Sequence, residues 1–177
     1  IEHKLIAQIE TNGFTSGKTS LRLLKEDEYI SIPLTKIQPT VYTSDLLVPS
    51  IFKKTKRIDA FFDGEIERII QLNIDPIVAS PNKLTNILSN DKDCSIQITN
   101  NSLYDTSLVW IEKINHPVEP KGGNRVSPVY QLQPFELALK DTIRIGIRYN
   151  NKAKDMINLS LYYYNQKHGW SFFHPIL

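Results

Sequence analysis

The chain is 177 residues long, enough for one large or two small domains with a buried core. Its 41% hydrophobic and 23% charged residues are ordinary for a globular protein. The 21 basic and 19 acidic side chains are interspersed and leave a net charge of +2, without the basic stripe of a dedicated nucleic-acid binder.

The single cysteine, Cys94, rules out an intrachain disulfide. That fits the cytosol and equally many bacterial envelope proteins. No apolar run approaches the ~20 residues that cross a bilayer as a helix, so no membrane span is expected. No signal-peptide pattern is visible, and the chain opens on Ile1 rather than Met, which predicts processing or excision from a longer polypeptide.

In chain order, His3 to Glu10 reads as a first strand closed by the turn signal Thr11-Asn12-Gly13. Lys18 to Lys25 is a second, with Leu21 and Leu23 on one face. Glu26-Asp27-Glu28 turns the chain into Tyr29 to Leu34. Pro33 lacks an amide hydrogen, so that strand is expected to be an edge or to stop there. Ile37 to Ile51 holds Pro39 and Pro49 and reads as a loop with a helical turn near Ser44 to Leu47. The basic run Lys53-Lys54-Thr55-Lys56-Arg57 reads as a solvated turn.

Arg57 to Phe62 and Glu65 to Leu72 flank Asp63-Gly64, and an Asp-Gly pair between strand-like runs predicts a hairpin with a type I′ turn. Asp75 to Asn90, rich in Pro, Asn and Ser, is read as a module boundary. Six strands follow at the spacing of a sandwich, over Cys94–Thr99, Thr106–Ile114, Val126–Gln133, Asp141–Tyr149, Ile157–Tyr164 and Trp170–His174. The loop Asn100 to Asp105 places Leu103 and Tyr104 to plug the sandwich end. The fold class is therefore all-β, as one or two immunoglobulin-like antiparallel β-sandwich domains. They divide into an N-terminal β domain over 1–80 and a C-terminal sandwich over 90–177.

Little in this frame carries chemistry. The four histidines, His3, His116, His168 and His174, show no metal-ligand spacing. His168 and His174 would stand ~20 Å apart along an extended strand. Asp59, Asp63 and Glu65 crowd the hairpin, and carboxylates around a turn can hold calcium. The Asp-x-Asp-x-Asp-Gly pattern is absent, however, so a solvated strand face is the simpler reading. Asp91 and Asp93 read as another solvated turn. Lys121-Gly122-Gly123-Asn124-Arg125 precedes a strand rather than a helix, so it reads as a hairpin loop and not a phosphate cradle. No serine elbow or paired carboxylates appear, and no catalytic residue, metal site or cofactor is expected.

The aromatic tail is the candidate binding surface: Tyr162, Tyr163, Tyr164, Trp170 and Phe172. Consecutive tyrosines alternate faces, so Tyr163 opposes its two neighbours. Outward rings would make a platform for a protein or a sugar, whereas the plainer arrangement has Trp170 and Phe172 filling the core.

The residues Ser127, Pro128, Val129, Leu132, Pro134, Tyr149, Tyr162 and Trp170 follow the run "strand, Ser-Pro-Val-x-x-Leu-x-Pro, strand, tyrosine-rich strand, Trp". In this, Ile96 to Trp170 resembles the β-sandwich module shared by ankyrins, netrin receptors and tight-junction scaffold proteins. The resemblance implies docking of proteins, or load passed between neighbouring domains. Bacterial versions occur in envelope and surface proteins. A second likeness, through Ile98 to Trp110, Val129-Tyr130 and the Asp63-Gly64 hairpin, is to the β tails of bacterial lysostaphin-type zinc endopeptidases. That family's His-x-x-x-Asp and His-x-His ligands have no counterpart here.

Richness in Ile, Asn and Lys suggests an AT-rich bacterial genome. The expectation is a noncatalytic accessory or protein-binding module of a larger secreted, periplasmic or cell-surface bacterial protein. Its partner would be a protein or a neighbouring domain of the same polypeptide. The alternatives are a carbohydrate-binding module, with a glycan as partner, or the tail of a peptidoglycan endopeptidase.

Overall fold

The computed structural model describes residues 4–13, 17–64, 67–115, 119–121, 125–135, 137–149 and 159–173. Among these, regular structure is all strand apart from one 3-10 turn. The N-terminal half holds β1 (Gln8–Glu10), β2 (Lys18–Lys25), β3 (Glu28–Gln38), β4 (Val41–Thr43), β5 (Thr55–Asp63) and β6 (Arg68–Leu72). The remainder holds β7 (Ile77–Ala79), β8 (Thr85–Leu88), β9 (Cys94–Ile98), β10 (Ser107–Ile114), β11 (Val129–Gln133), β12 (Ile143–Ile147), β13 (Leu161–Asn165) and β14 (Gly169–Phe173).

All pairings are antiparallel. They build a six-stranded sheet in the order β1-β4-β3-β2-β5-β6, two three-stranded sheets, β11-β10-β7 and β12-β9-β8, and a β13-β14 ribbon. The expected all-β sandwich is the observed class.

Several local features depart from the sequence expectation. The first strand is short, and Leu5 only bridges Leu47; His3 lies outside the described residues. Strand β3 runs straight through Pro33, because β3 changes partner there. Residues 28–34 pair with β2, and Thr35 to Gln38 pair with β4. Pro33 therefore sits in a half-strand with one partner, where a missing N–H costs no ladder bond. The stretch read as a loop contains β4, three β-formers too few to show a period. Its helical turn is Pro49–Phe52, not Ser44 to Leu47, with Pro49 at the first position where its fixed φ suits a helix start.

Strands β5 and β6 do form the expected hairpin. Phe62 and Arg68 are the last described pair before the turn, and Glu65 and Ile66 lie outside the described residues. The stretch 75–90 carries β7 and β8, since Pro76 and Pro81 punctuate short strands rather than dissolve them.

Alternation along β7 and β10 ties the molecule together. Ile77, Ala79, Val109 and Ile111 enter one core with Ile87, Cys94, Ile96, Ile98 and Leu103. Val78, Leu108 and Trp110 point the other way, into a second core with Leu21, Leu23, Ile32, Leu47, Phe52 and Ile58. Period-two side chains on one strand pair thus feed both cores. Each buried Leu or Ile contributes about 1.5–3 kcal/mol by leaving water.

Candidate binding surface

The β13-β14 ribbon is closed by Asn165, whose Oδ1 accepts from the amides of Lys167 at 2.8 Å and His168 at 3.3 Å. Asn side chains commonly start turns in this way. Gly169 takes φ +73°, a left-handed conformation open to glycine, and returns the chain. The register sets Tyr162 opposite Phe172, Tyr163 opposite Ser171 and Tyr164 opposite Trp170. Four rings therefore share one face, with Tyr163 on the other.

Tyr162 and Phe172 meet with ring centroids 5.8 Å apart at 71°, and Tyr164 and Trp170 at 5.4 Å and 67°. Edge-to-face contacts of this kind fix the rings relative to one another. Tyr162, Tyr163, Tyr164 and Phe172 remain 36%, 51%, 37% and 39% exposed, and Trp170 is half-buried. Among the described residues none of the five belongs to either core cluster. Of the five residues singled out in the sequence, Tyr162, Tyr164, Trp170 and Phe172 share one face of the ribbon and Tyr163 lies on the other. Among the described residues the ribbon pairs with no other strand.

A second cluster joins the two C-terminal sheets. In the β8-β9 turn, Ser89 donates to Asp91 Oδ1 at 2.6 Å, and the Asp93 amide donates to the same oxygen at 3.2 Å. From the facing sheet, Lys113 Nζ lies 3.0 Å from Asp91 Oδ2 and the Tyr130 hydroxyl donates to it at 2.9 Å. The Ser89 hydroxyl first, then Lys113, the Asp93 amide and Tyr130, hold the Asp91 carboxyl well below the usual carboxylate range. Burial, then the Asp91 carboxylate, push the Tyr130 phenol up. Burial, with a smaller contribution from Asp91, pushes the Cys94 thiol up to about 11. A thiol so held is not a nucleophile at neutral pH. This is a clasp rather than the solvated turn that Asn90 to Asp93 suggested.

A third cluster lies on the outer face of the six-stranded sheet. Asp59 is 1% exposed. Its Oδ2 accepts from Arg57 Nε at 3.1 Å, Arg57 Nη2 at 2.9 Å and the Tyr29 hydroxyl at 3.2 Å. The hydrogen bond to Asp59 is the main cause holding the Arg57 guanidinium above its ordinary value. Lys53 and Lys54 are exposed before β5 as a basic turn should be, but Lys56 and Arg57 lie on β5, where Lys56 is exposed and Arg57 pairs with a buried carboxylate. Sequence reasoning missed this cluster. The Arg57-x-Asp59 spacing was its one visible signal, since residues two apart share a strand face.

Of the Asp59, Asp63 and Glu65 carboxylates of the hairpin, two lie among the described residues. Asp59 is committed to Arg57, Asp63 is exposed, and Glu65 lies outside the described residues. Among the described residues no three His, Cys, Asp or Glu side chains converge as metal ligands. His168 is exposed, while His116 and His174 lie outside the described residues. Leu103 plugs the sandwich end as expected, but Tyr104 is exposed instead of buried beside it. An open groove of about 370 Å³ is lined by Lys113, Ile114, Asn115, Arg125, Pro128 and Val129. Its two cations are already paired, Lys113 with Asp91 and Arg125 with Glu119. No described helix is long and apolar enough to cross a membrane.

No protein-family model, no curated protein and no solved structure matches this chain.

Proposed function

We propose that the chain is a noncatalytic protein-binding module of a larger bacterial secreted or envelope protein, and that the four-ring face of the β13-β14 ribbon is its docking surface. The observation that carries this is a set of large rings held in fixed cross-strand pairs yet left more than a third exposed on three of the four positions. Pre-ordered aromatic rings give much contact area at low entropic cost, which is why Tyr and Trp dominate binding hot spots. The occupant is a protein rather than a glycan, because both cross-strand ring pairs meet edge to face, whereas a sugar platform uses coplanar rings.

The test is crosslinking of the whole chain to its binder in bacterial envelope extract, with and without Tyr162→Ser plus Phe172→Ser. One crosslinked protein should be captured by the wild type and lost by the variant, with unchanged far-UV circular dichroism. Equal capture by both would contradict the reading, and so would variant-sensitive binding to purified cell-wall polysaccharide alone.

A further inference from the structure

On the outer face of β2 and β5 an acceptor without a donor stands across from a donor without an acceptor. Antiparallel register sets Arg22 directly opposite Asp59, and both side chains lie on the side away from Leu21, Leu23 and Ile58. Asp59 is buried, and its Oδ2 is taken by Arg57 and Tyr29. Its Oδ1 is buried too and accepts no hydrogen bond among the described residues. A buried carboxylate oxygen left without a donor carries its full desolvation penalty. The half-buried Arg22 guanidinium makes no hydrogen bond or ion pair with any described residue. Instead its central carbon stands 3.1 Å over the Phe61 ring.

Phe61 lies two residues along β5 from Asp59, on the same face, as the diagonal neighbour of Arg22. One arginine therefore reaches both seats with the backbone fixed. A guanidinium over a ring and a guanidinium on a carboxylate are contacts of comparable strength on a half-buried face. The stacked seat keeps water off Phe61, which is buried. The paired seat satisfies Asp59 Oδ1 and leaves the ring bare. Phe61 then joins a row that register lays across the sheet, Pro33, Ser20, Phe61 and Ile69. Pro33 and Ile69 in that row are already exposed. The other groups facing Asp59 are Arg57 and Tyr29, both on Oδ2, and Gln71 on β6, which is exposed and uncharged.

We propose that Arg22 is a two-seat latch: stacked on Phe61 it closes an apolar row on the outer face, and paired with Asp59 Oδ1 it opens that row. The stacked seat is the one in the structure. The paired seat is the minor state, reached by side-chain rotation. Anything that binds a bare Phe61 shifts the balance toward it, by no more than its preference for the open row. No strand has to part, so the latch works within the intact sheet. It shares no residue with the aromatic ribbon, and its failure leaves the docking proposal untouched.

The experiment is nuclear magnetic resonance of the full chain with labelled arginine side chains. In the wild type the Arg22 δ-methylene protons should carry a ring-current shift from Phe61. Phe61→Leu removes the stacked seat. The shift should vanish, and exchange of the Arg22 Nε–H with water should slow by about tenfold, the protection given by one charge-assisted hydrogen bond. Gln71→Ala should leave both readings as in the wild type. Arg22→Ser, which strips the cover from Phe61 without touching the core, should raise the fluorescence of a hydrophobic dye with far-UV circular dichroism unchanged. Nε–H exchange as fast in Phe61→Leu as in the wild type would overturn the latch. So would slowing of the same size in Gln71→Ala, which would assign Asp59 Oδ1 to Gln71, or dye fluorescence unmoved by Arg22→Ser.

Discussion

Strands β10 and β13 are built from similar material and live in opposite environments. Strand β10 contains Leu108, Val109, Trp110 and Ile111; it has β7 on one side, β11 on the other and a core on each face. Strand β13 contains Leu161 and three tyrosines, pairs with β14 alone among the described strands, and leaves all three tyrosines exposed by more than a third. Residue type did not decide which strand is buried. Burial follows from what is laid across each face, and a tyrosine tolerates either outcome because its hydroxyl can stay wet.

The contrast breaks first at the core. Ile98 is fully buried between Thr85 and Ile143 on neighbouring strands. Ile98→Ala is expected to cost about 2–5 kcal/mol in denaturant unfolding, as for other buried aliphatic truncations. Leu23→Ala in the other core should cost a similar amount. Because β7 and β10 feed both cores, each substitution should shift one common transition; two separate transitions would show the cores to be independent.

Backbone geometry gives the next effect. Gly17 has φ +97°, and an added Cβ would sit 1.5 Å from the Asp63 carbonyl oxygen. Gly17→Ala should therefore destabilise by about 1–3 kcal/mol, the range of forced backbone strain. Gly13→Ala, with nothing within 4 Å of its added Cβ, is the matched control and should be near neutral by the same melting assay.

On the ribbon, Trp170→Ala should lower stability by about 1 kcal/mol, the scale of one aromatic pair contact, well short of the Ile98→Ala loss. A loss as large as that at Ile98 would place Trp170 functionally in the core and erase the contrast with β10.

The clasp between the C-terminal sheets sharpens the comparison through pH. The Asp91 carboxyl is depressed in the folded chain, so its stabilisation is complete above the ordinary carboxylate range and is lost as pH falls below it. Asp91→Asn should lower the melting temperature at neutral pH and flatten its fall on acidification. The Cys94 thiol is raised to about 11, so folding favours its protonated form. That contribution is whole below the thiol's ordinary value of 9.0 and is lost as pH climbs to about 11, so the melting temperature should drop across that window and Cys94→Ala should flatten the drop.

Strand positions were legible in the sequence where period-two runs met turn residues, as in Lys18 to Lys25 and Cys94 to Ile98. Three-residue strands such as β4 and β7 were not, because three residues carry no measurable period. The opposition of Tyr163 to its neighbours was readable from alternation alone. The exposure of Phe172 was not, since it depends on whether another sheet covers the ribbon. The Arg57–Asp59–Tyr29 cluster and the Arg22–Phe61 stack join residues from β2, β3 and β5 through register, and register emerges only when the sheet is assembled.

The most direct test measures stability and capture together on the Tyr162→Ser, Phe172→Ser double variant. The account predicts a melting temperature close to wild type with the crosslinked partner lost. A melting temperature as low as that of Ile98→Ala, with capture intact, would contradict it.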